Sequence, residues 1–378
     1  MSLSQKLIRK AAGMPALSGV KAKLRALMYD AAAVQRIEDK IRPLQLHIDP
    51  AEPVRINFLI PEINFGTFFG GYIAKFNLAQ KLSEEGLNVR FVVIDPCERD
   101  DAAWRLMVAQ YEGIEGVFDK VDVALCADRG QVLAVSPEDR IIATTWWSAH
   151  VAQAMAQELG VDKFLYLIQE YEPFTFAMGS YFALADQSYR FPHRALFSSP
   201  QLRDYFAQHR IGVFGESWGN SEEARPFENA ILAYRQEELL QNRREGEYKL
   251  LFYARPEAHA ARNMFEIAFL ALSRAIEAGY FADARWEFHG IGSAHGDMQL
   301  PGGHTLKMLG KFGLDEYRQR LLDYDLGLSL MYTPHPSLLP LEMAAAGMRV
   351  VSNECENKTH EALERISGNL LAAEPSIQ

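Results

Sequence analysis

Short apolar runs and helix-period segments alternate along most of the chain. Arg55 to Ile63 (RINFLIPEI) is an apolar run bounded by polar residues, as expected of a strand buried on both faces of a parallel sheet. A glycine-rich turn, Gly66 to Gly71, leads into a helical pattern over Tyr72 to Glu85. There Ile73, Phe76, Ala79 and Leu82 recur at roughly helical spacing, and Gly86 supplies the stop. Val89 to Ile94 (VRFVVI) is the next buried run, so strand, turn, helix and strand make a βαβ unit. Further strands are expected over Asp122 to Cys126, Ile141 to Trp146, Phe164 to Gln169 and Arg194 to Ser199, with helices over Val151 to Leu159 and Pro200 to Gln208.

A polar stretch, Ser217 to Arg244, interrupts the pattern and closes in the charged run Gln241 to Glu247. The alternation then restarts. Strands are expected at Lys249 to Tyr253, Trp286 to Gly290, Thr305 to Leu309, Leu326 to Leu330 and Arg349 to Asn353. Helices are expected at Asn263 to Glu277, Leu314 to Asp323 and Leu341 to Ala346. Two alternating halves predict an α/β protein of two Rossmann-like, doubly wound domains facing each other across a cleft. Their expected spans are 51–225 and 245–378. Residues 1–50 form an arm and linker, the linker running from Pro43 to Val54 with prolines at 43, 50 and 53.

The length of 378 residues fits two domains at roughly 150 residues each. The net charge of -10 argues against a general nucleic-acid binder. Cys97, Cys126 and Cys355 are too far apart for a zinc pattern or a disulfide framework, which points to a reducing, cytoplasmic compartment. No run of about 20 apolar residues predicts a membrane span. The charge is uneven, however. Residues 1–29 hold six cations (Lys6, Arg9, Lys10, Lys21, Lys23, Arg25) and no acid, interspersed with Leu3, Leu7, Ile8, Leu24 and Leu27. Such an arm either lies on an anionic membrane surface or packs as a solvated helix on the body or a partner.

Candidate chemistry lies where strands end, because ligands of open α/β sheets bind outside the carboxyl ends of the strands. Gly70 and Gly71 belong to GTFFGG, which is not the dinucleotide fingerprint, so a dehydrogenase is disfavoured; the pair serves either a tight turn or the close approach of a ligand. Arg255 follows a strand in YARP, and Arg262 begins a helix seven residues later. The two are either surface arginines or a diphosphate site. Lys311, after Gly310, is a third cation beyond a strand. Ser337, Leu338 and Leu339 offer N–H groups near a helix N-terminus, and Glu342 stands in its first turn, either to accept sugar hydroxyls or to complement the helix dipole. In the first half, Trp147, His150, Gln169, Glu170, Tyr171 and Glu172 follow strands. Aromatics among carboxylates suit a carbohydrate site, and His150 is a candidate general base. No histidine cluster suggests a metal site.

The series Arg255, Gly310-Lys311 and HPSLLPLEMAAAGMRVVSN resembles the C-terminal half of retaining GT-B glycosyltransferases of family 4. FGGYIAKFNLA, LIQEYEPF, YARP, RNMFE and the ENKT turn look more narrowly like WsaF-like bacterial rhamnosyltransferases, which build surface polysaccharides from dTDP-rhamnose. The resemblance implies that Arg255 and Lys311 clamp the donor diphosphate with Arg262 in support. It implies that Gly70, Gly71 and Gly310 line the donor and that backbone at Ser337, Leu338 and Leu339 holds the distal phosphate. Glu342 would bond the nucleoside sugar. His150, Trp147 and the stretch Gln169, Glu170, Tyr171, Glu172 would face the acceptor or the transferred sugar. A nucleotide-sugar donor, a glycan or lipid-linked glycan acceptor, no cofactor and no metal follow from it. With the cysteine usage, the expected location is cytoplasmic, peripheral on the inner membrane face where the basic arm binds lipid. The pattern departs from the family at one point: the first glutamate of the signature falls on Pro334. Alternatives from the residues alone are a sugar-nucleotide epimerase of this architecture or a non-catalytic carbohydrate-binding scaffold. The final helix that crosses back in this family is not expected after Leu371, which implies either a truncated chain or a cleft closed differently.

Overall fold

The computed structural model describes residues 31–65, 70–240, 246–310 and 312–377. Its first half contains β1 (Gln45–Ile48), β2 (Ile56–Ile60), β3 (Val89–Val93), β4 (Asp122–Leu125), β5 (Val132–Val135), β6 (Arg140–Ala143), β7 (Phe164–Ile168), β8 (His193–Phe197) and β9 (Ala224–Pro226). Seven of these form a parallel sheet in the order β4-β3-β2-β6-β7-β8-β9. The chain winds outward from β2 to β4 and returns to place β6 on the other side of β2, which makes the carboxyl ends of β2 and β6 the switch point. The apolar runs are long because both faces are covered. Leu59 and Val92 enter one core, while Phe58, Ile60, Phe91 and Val93 enter the core on the opposite face.

Helices of this half that bear on the cleft are α1 (residues 31–41), α2 (Gly70–Glu84), α3 (Trp146–Leu159), α4 (Ser180–Ser188) and α5 (Pro200–Gln208). The start of α3 follows from local chemistry. The Thr145 side chain accepts from the Ser148 N–H, and the Ser148 hydroxyl accepts from the Thr145 N–H, a reciprocal cap. Trp146 therefore opens a helix, where a strand through Trp146 was expected, and β6 ends at Ala143. The stretch expected as a linker contains β1, which pairs in parallel with β5. Prolines at 43 and 50 bracket this four-residue strand, so punctuation masked it.

The second half repeats the plan with β10 (Glu247–Tyr253), β11 (Arg285–Ile291), β12 (Met298–Gln299), β13 (Thr305–Met308), β14 (Leu326–Leu328), β15 (Arg349–Asn353) and β16 (Leu370–Ala373). Their order is β12-β13-β11-β10-β14-β15-β16, parallel except for β12 at the edge. The switch point lies between β10 and β14. The helices α6 (Phe265–Glu277), α7 (Leu314–Leu321) and α8 (Leu338–Ala345) pack around it. Residues 374–377 after β16 carry no helix. The halves touch through a reciprocal amide pair: Gln201 Nε2 donates to the Asn357 carbonyl at 3.1 Å and Asn357 Nδ2 to the Gln201 carbonyl at 2.8 Å. A Cβ placed on Gly70 would lie 2.5 Å from Leu338 Cδ1, so α2 and α8 approach end to end.

Candidate active site

Beyond the carboxyl end of β10, Arg255 is held from three sides. Nε faces Glu257 Oε2 at 3.3 Å, Nη1 donates to Tyr253 Oη at 3.3 Å, and Nη2 lies 2.9 Å from His259 Nε2. Gly292 lets this happen. Its φ is +104°, and a Cβ there would sit 2.9 Å from Arg255 Cδ. The Gly292 N–H in turn donates to the Gly310 carbonyl, which brings the Gly310 turn beside Arg255. Lys311 lies outside the described residues. Arg262 enters from the turn before α6. Its carbonyl accepts from the Tyr332 N–H, and its Nε is buried without a hydrogen-bond partner among the described residues.

The turn after β14 is pinned at its base. Asn353 Oδ1 accepts from the Met331 N–H at 2.7 Å, and the buried Lys358 donates its Nζ to the Met331 carbonyl. Burial pushes the Lys358 ammonium down to about 8. Further along, Thr333 Oγ1 accepts from the His335 N–H, and His335 Nδ1 accepts from the Ser337 N–H at 3.0 Å, so a neutral His335 carries its proton on Nε2. Burial lowers the pKa of His335, which favours that neutral form. Ser337 adopts φ +66°, a left-handed conformation uncommon outside glycine.

The first domain meets this turn directly. Glu170 Oε2 accepts from Thr333 Oγ1 at 2.8 Å. Two residues on, Glu172 accepts from the Trp146 N–H at the start of α3, and its charge is felt by Lys75 on α2. Burial pushes the Glu172 carboxyl up to about 7 and the Lys75 ammonium down to about 8, each against the pull of the other. The charges of Lys75, Glu170 and Arg262 are felt at Glu172, and those of Glu170, Lys358 and Arg262 at His335, along the seam between the sheets. Among the described residues no group of three or more His, Cys, Asp or Glu side chains is placed to hold a metal ion.

Residues 55–199 match the model of the WsaF N-terminal domain, and residues 248–378 match the WsaF C-terminal domain. The chain belongs to the WsaF-like GT-B glycosyltransferases. The O-antigen biosynthesis protein RfbC of Myxococcus xanthus is 32% identical over 247 residues, which are 63% of this chain and 17% of RfbC. The match thus spans under a fifth of that relative. HepE of Anabaena, determined with UDP and glucose, superposes with a TM-score of 0.54 at 14% identity, covering 86% of this chain and 87% of its own. The sucrose-phosphate synthase of Thermosynechococcus elongatus superposes with a TM-score of 0.51 at 12% identity, covering 85% and 86%. At these identities the likeness is one of fold.

Several residues expected to line the glycosyltransferase cleft are engaged elsewhere. His150 Nε2 lies 3.0 Å from the Leu184 carbonyl, and its ring packs on Trp146 and Phe191. That nitrogen is a donor to α4, not a free base. Tyr171 is buried, stacks on Tyr189 and donates to Asp186 Oδ1, so it belongs to the core. Trp147 packs on the first core and is covered by Lys40 of α1, whose Nζ stands 4.2 Å from the ring centroid and also pairs with Asp95. The Ser337 N–H is taken by His335 and is not left for a phosphate. Leu338 and Leu339 keep their place in the first turn of α8, where N–H groups lack intrahelical partners. Gly70 packs on Leu338, and the Gly71 carbonyl accepts from Gln169 Nε2 at 2.8 Å. The close approach at these glycines is thus to protein side chains.

Glu342 is held by a group the sequence did not suggest. Tyr317 Oη donates to its Oε2 at 2.8 Å, and burial raises the carboxyl pKa. Tyr317 lies on the polar-looking α7, whose pattern gave no sign of a buried hydroxyl. If Glu342 bonds the nucleoside sugar, as the family resemblance implies, Tyr317→Phe should weaken nucleotide binding by roughly 0.5–1.5 kcal/mol, a few-fold in Kd by calorimetry. An unchanged Kd would remove Glu342 from the nucleotide site.

Proposed function

We propose that this glycosyltransferase moves rhamnose from a dTDP-linked donor onto a growing bacterial surface glycan, with retention and without a metal ion. One observation carries the donor side: Arg255 and the Gly310 turn lie together beyond β10, where a diphosphate would meet a fixed guanidinium, and Arg262 follows in the turn before α6. Lys311 follows directly on Gly310 and would add a third cation. WsaF-like membership supports rhamnose and its dTDP carrier. The O-antigen role in the name of RfbC supports a surface glycan, free or lipid-linked, as the acceptor.

The chemistry asks most at the leaving group. The bond from the anomeric carbon to the diphosphate breaks, and the diphosphate keeps the electron pair. The acceptor oxygen bonds the same face, and its proton goes to the departing phosphate oxygen. Charge grows on the diphosphate as the sugar approaches an oxocarbenium ion, so fixed cations and N–H groups aimed there lower the barrier in place of a metal. Among the described residues no helix is long and apolar enough to cross a membrane. The basic arm over residues 1–29, outside the described residues, would hold the enzyme at the inner membrane face near a lipid-linked acceptor.

Arg255→Ala should cost roughly 1.5–3 kcal/mol of dTDP affinity, about 10- to 150-fold in calorimetry. The wild-type enzyme should turn over in excess chelator and give a product whose anomer, read by NMR, matches the donor. Chelator-sensitive turnover or an inverted product would overturn the corresponding part of the reading.

A further inference from the structure

The ENKT turn, residues 356–359, takes no part in the donor site proposed above, yet it touches both domains. Its backbone closes on itself. The Cys355 N–H donates to the Lys358 carbonyl at 3.0 Å and the Lys358 N–H to the Cys355 carbonyl at 2.8 Å, an antiparallel bridge around the two-residue tip of Glu356 and Asn357. Glu356 takes φ +52° to make the reversal. Beyond the tip, the Thr359 hydroxyl accepts from the Ala362 N–H and caps the short helix that follows. Before it, the Glu354 N–H donates to the Ala373 carbonyl of β16 at 2.9 Å. The tip is therefore one piece with the end of the second sheet.

The two ends of this piece meet different domains. At the tip, Asn357 exchanges two hydrogen bonds with Gln201 on α5 of the first domain, and His209 Nε2, just past that helix, stands 3.5 Å from Glu356 Oε2. The start of α5 is itself fixed, because Ser199 Oγ accepts from the Leu202 N–H and Pro200 opens the first turn. At the base, the fully buried Lys358 donates Nζ to the Met331 carbonyl, and Asn353 at the end of β15 accepts from the Met331 N–H. One self-closed turn thus joins α5 to the backbone that carries Tyr332, Thr333 and His335. The hold on α5 is light. Gln201 Oε1 and Asn357 Oδ1 are buried with no hydrogen-bond partner among the described residues. Each buried acceptor without a donor costs free energy, which offsets the two bonds made.

We propose that the ENKT turn is a latch that transmits the position of the first domain to residues 331–337 of the second, with Gln201 and Asn357 as positioning residues for transfer. While α5 engages the tip, Lys358 and Asn353 hold the Met331 backbone from a base fixed on both sides. When α5 withdraws, the tip loses Gln201 and His209, and residues 331–337 are held from the second domain alone. The consequence for turnover rests on the donor site proposed above; the mechanical link does not.

Hydrogen–deuterium exchange on the full-length enzyme tests the link without any ligand. Gln201→Ala alters only the first domain, yet exchange at residues 331–337 should rise about threefold or more, as the loss of a neutral hydrogen bond implies. Exchange in β11 and β13 should not change. Asn357→Ala should act alike. The double variant should exceed the larger single effect by less than about twofold, because a latch opened once has little left to lose. With dTDP-rhamnose as donor, kcat should fall roughly 3- to 10-fold in Gln201→Ala while the donor KM stays within about twofold. Circular dichroism melts check that each variant is folded. Faster exchange confined to α5, or fully additive effects of the two substitutions, would overturn the latch. An unchanged kcat beside faster exchange would remove both residues from positioning. If neither dTDP-rhamnose nor UDP-glucose is turned over by the wild-type enzyme, the donor reading fails, and exchange alone decides the mechanical link.

Discussion

Replacing Glu172 by alanine should lower the stability of the first domain by about 1–3 kcal/mol at neutral pH, the range for leaving a buried donor without its acceptor. The loss has two sources. The Trp146 N–H at the start of α3 would lose its acceptor, and the Lys75 ammonium, 4% exposed, would lose the carboxylate that favours its charged form. Glu172→Gln keeps an acceptor for Trp146 and should cost clearly less. Chemical denaturation followed by tryptophan fluorescence measures both. Losses below about 1 kcal/mol in both variants would show that the pair is energetically idle.

The same pair sets a pH signature whose sign is fixed by burial. Glu172 has a folded pKa near 7, above its ordinary 4.5, so between these values the folded state holds the extra proton and stability falls as pH rises. Lys75 has a folded pKa near 8, below its ordinary 10.5. Between those values the unfolded state holds the extra proton, and stability rises with pH. The pair therefore contributes least between about pH 7 and 8. In the double variant Lys75→Met, Glu172→Gln, that dip should flatten.

Much of the frame was legible in the sequence because its strands are buried on both faces. A run such as Phe164–Ile168 (FLYLI) is continuously apolar, and Gly160 marks the turn before it. The WsaF-like motifs then ordered the halves. What escaped is of a different kind. The four-residue β1 adds little apolar surface, and its flanking prolines read as a linker. Tyr171 and Glu170 are neighbours in one motif, yet alternate residues leave a strand end in opposite directions, so one enters the aromatic core and the other crosses to Thr333. Lys75 sits in an ordinary amphipathic helix, and only the fold shows that it points inward. The buried cations Lys75 and Lys358 could not be told from solvated lysines by composition or spacing.

Lys358→Ala should be comparably damaging, and here the damage should reach catalysis. Lys358 has no exposed surface, and its Nζ donates to the Met331 carbonyl. The orphaned carbonyl costs about 1–3 kcal/mol, and the cavity left by three methylene groups and the ammonium adds a similar amount. Lys358→Met keeps the volume and removes only the donor, so it isolates the polar part. Both variants release the base of the turn that carries Thr333 and His335. The anchor of Glu170 then loosens, and kcat should fall in Lys358→Met even at temperatures where the protein stays folded. The sign of the pH effect distinguishes this lysine from a surface one. Below pH 8 it is protonated in both states, and the penalty for burying the cation is fully present. Between about 8 and its ordinary 10.5 the folded protein has released the proton and the unfolded chain has not, so stability should rise with pH. Lys358→Met should lack that rise. A variant whose stability climbs as steeply as the wild type between pH 8 and 10.5, with kcat unchanged at neutral pH, would show that Lys358 neither bears the burial penalty nor holds the turn.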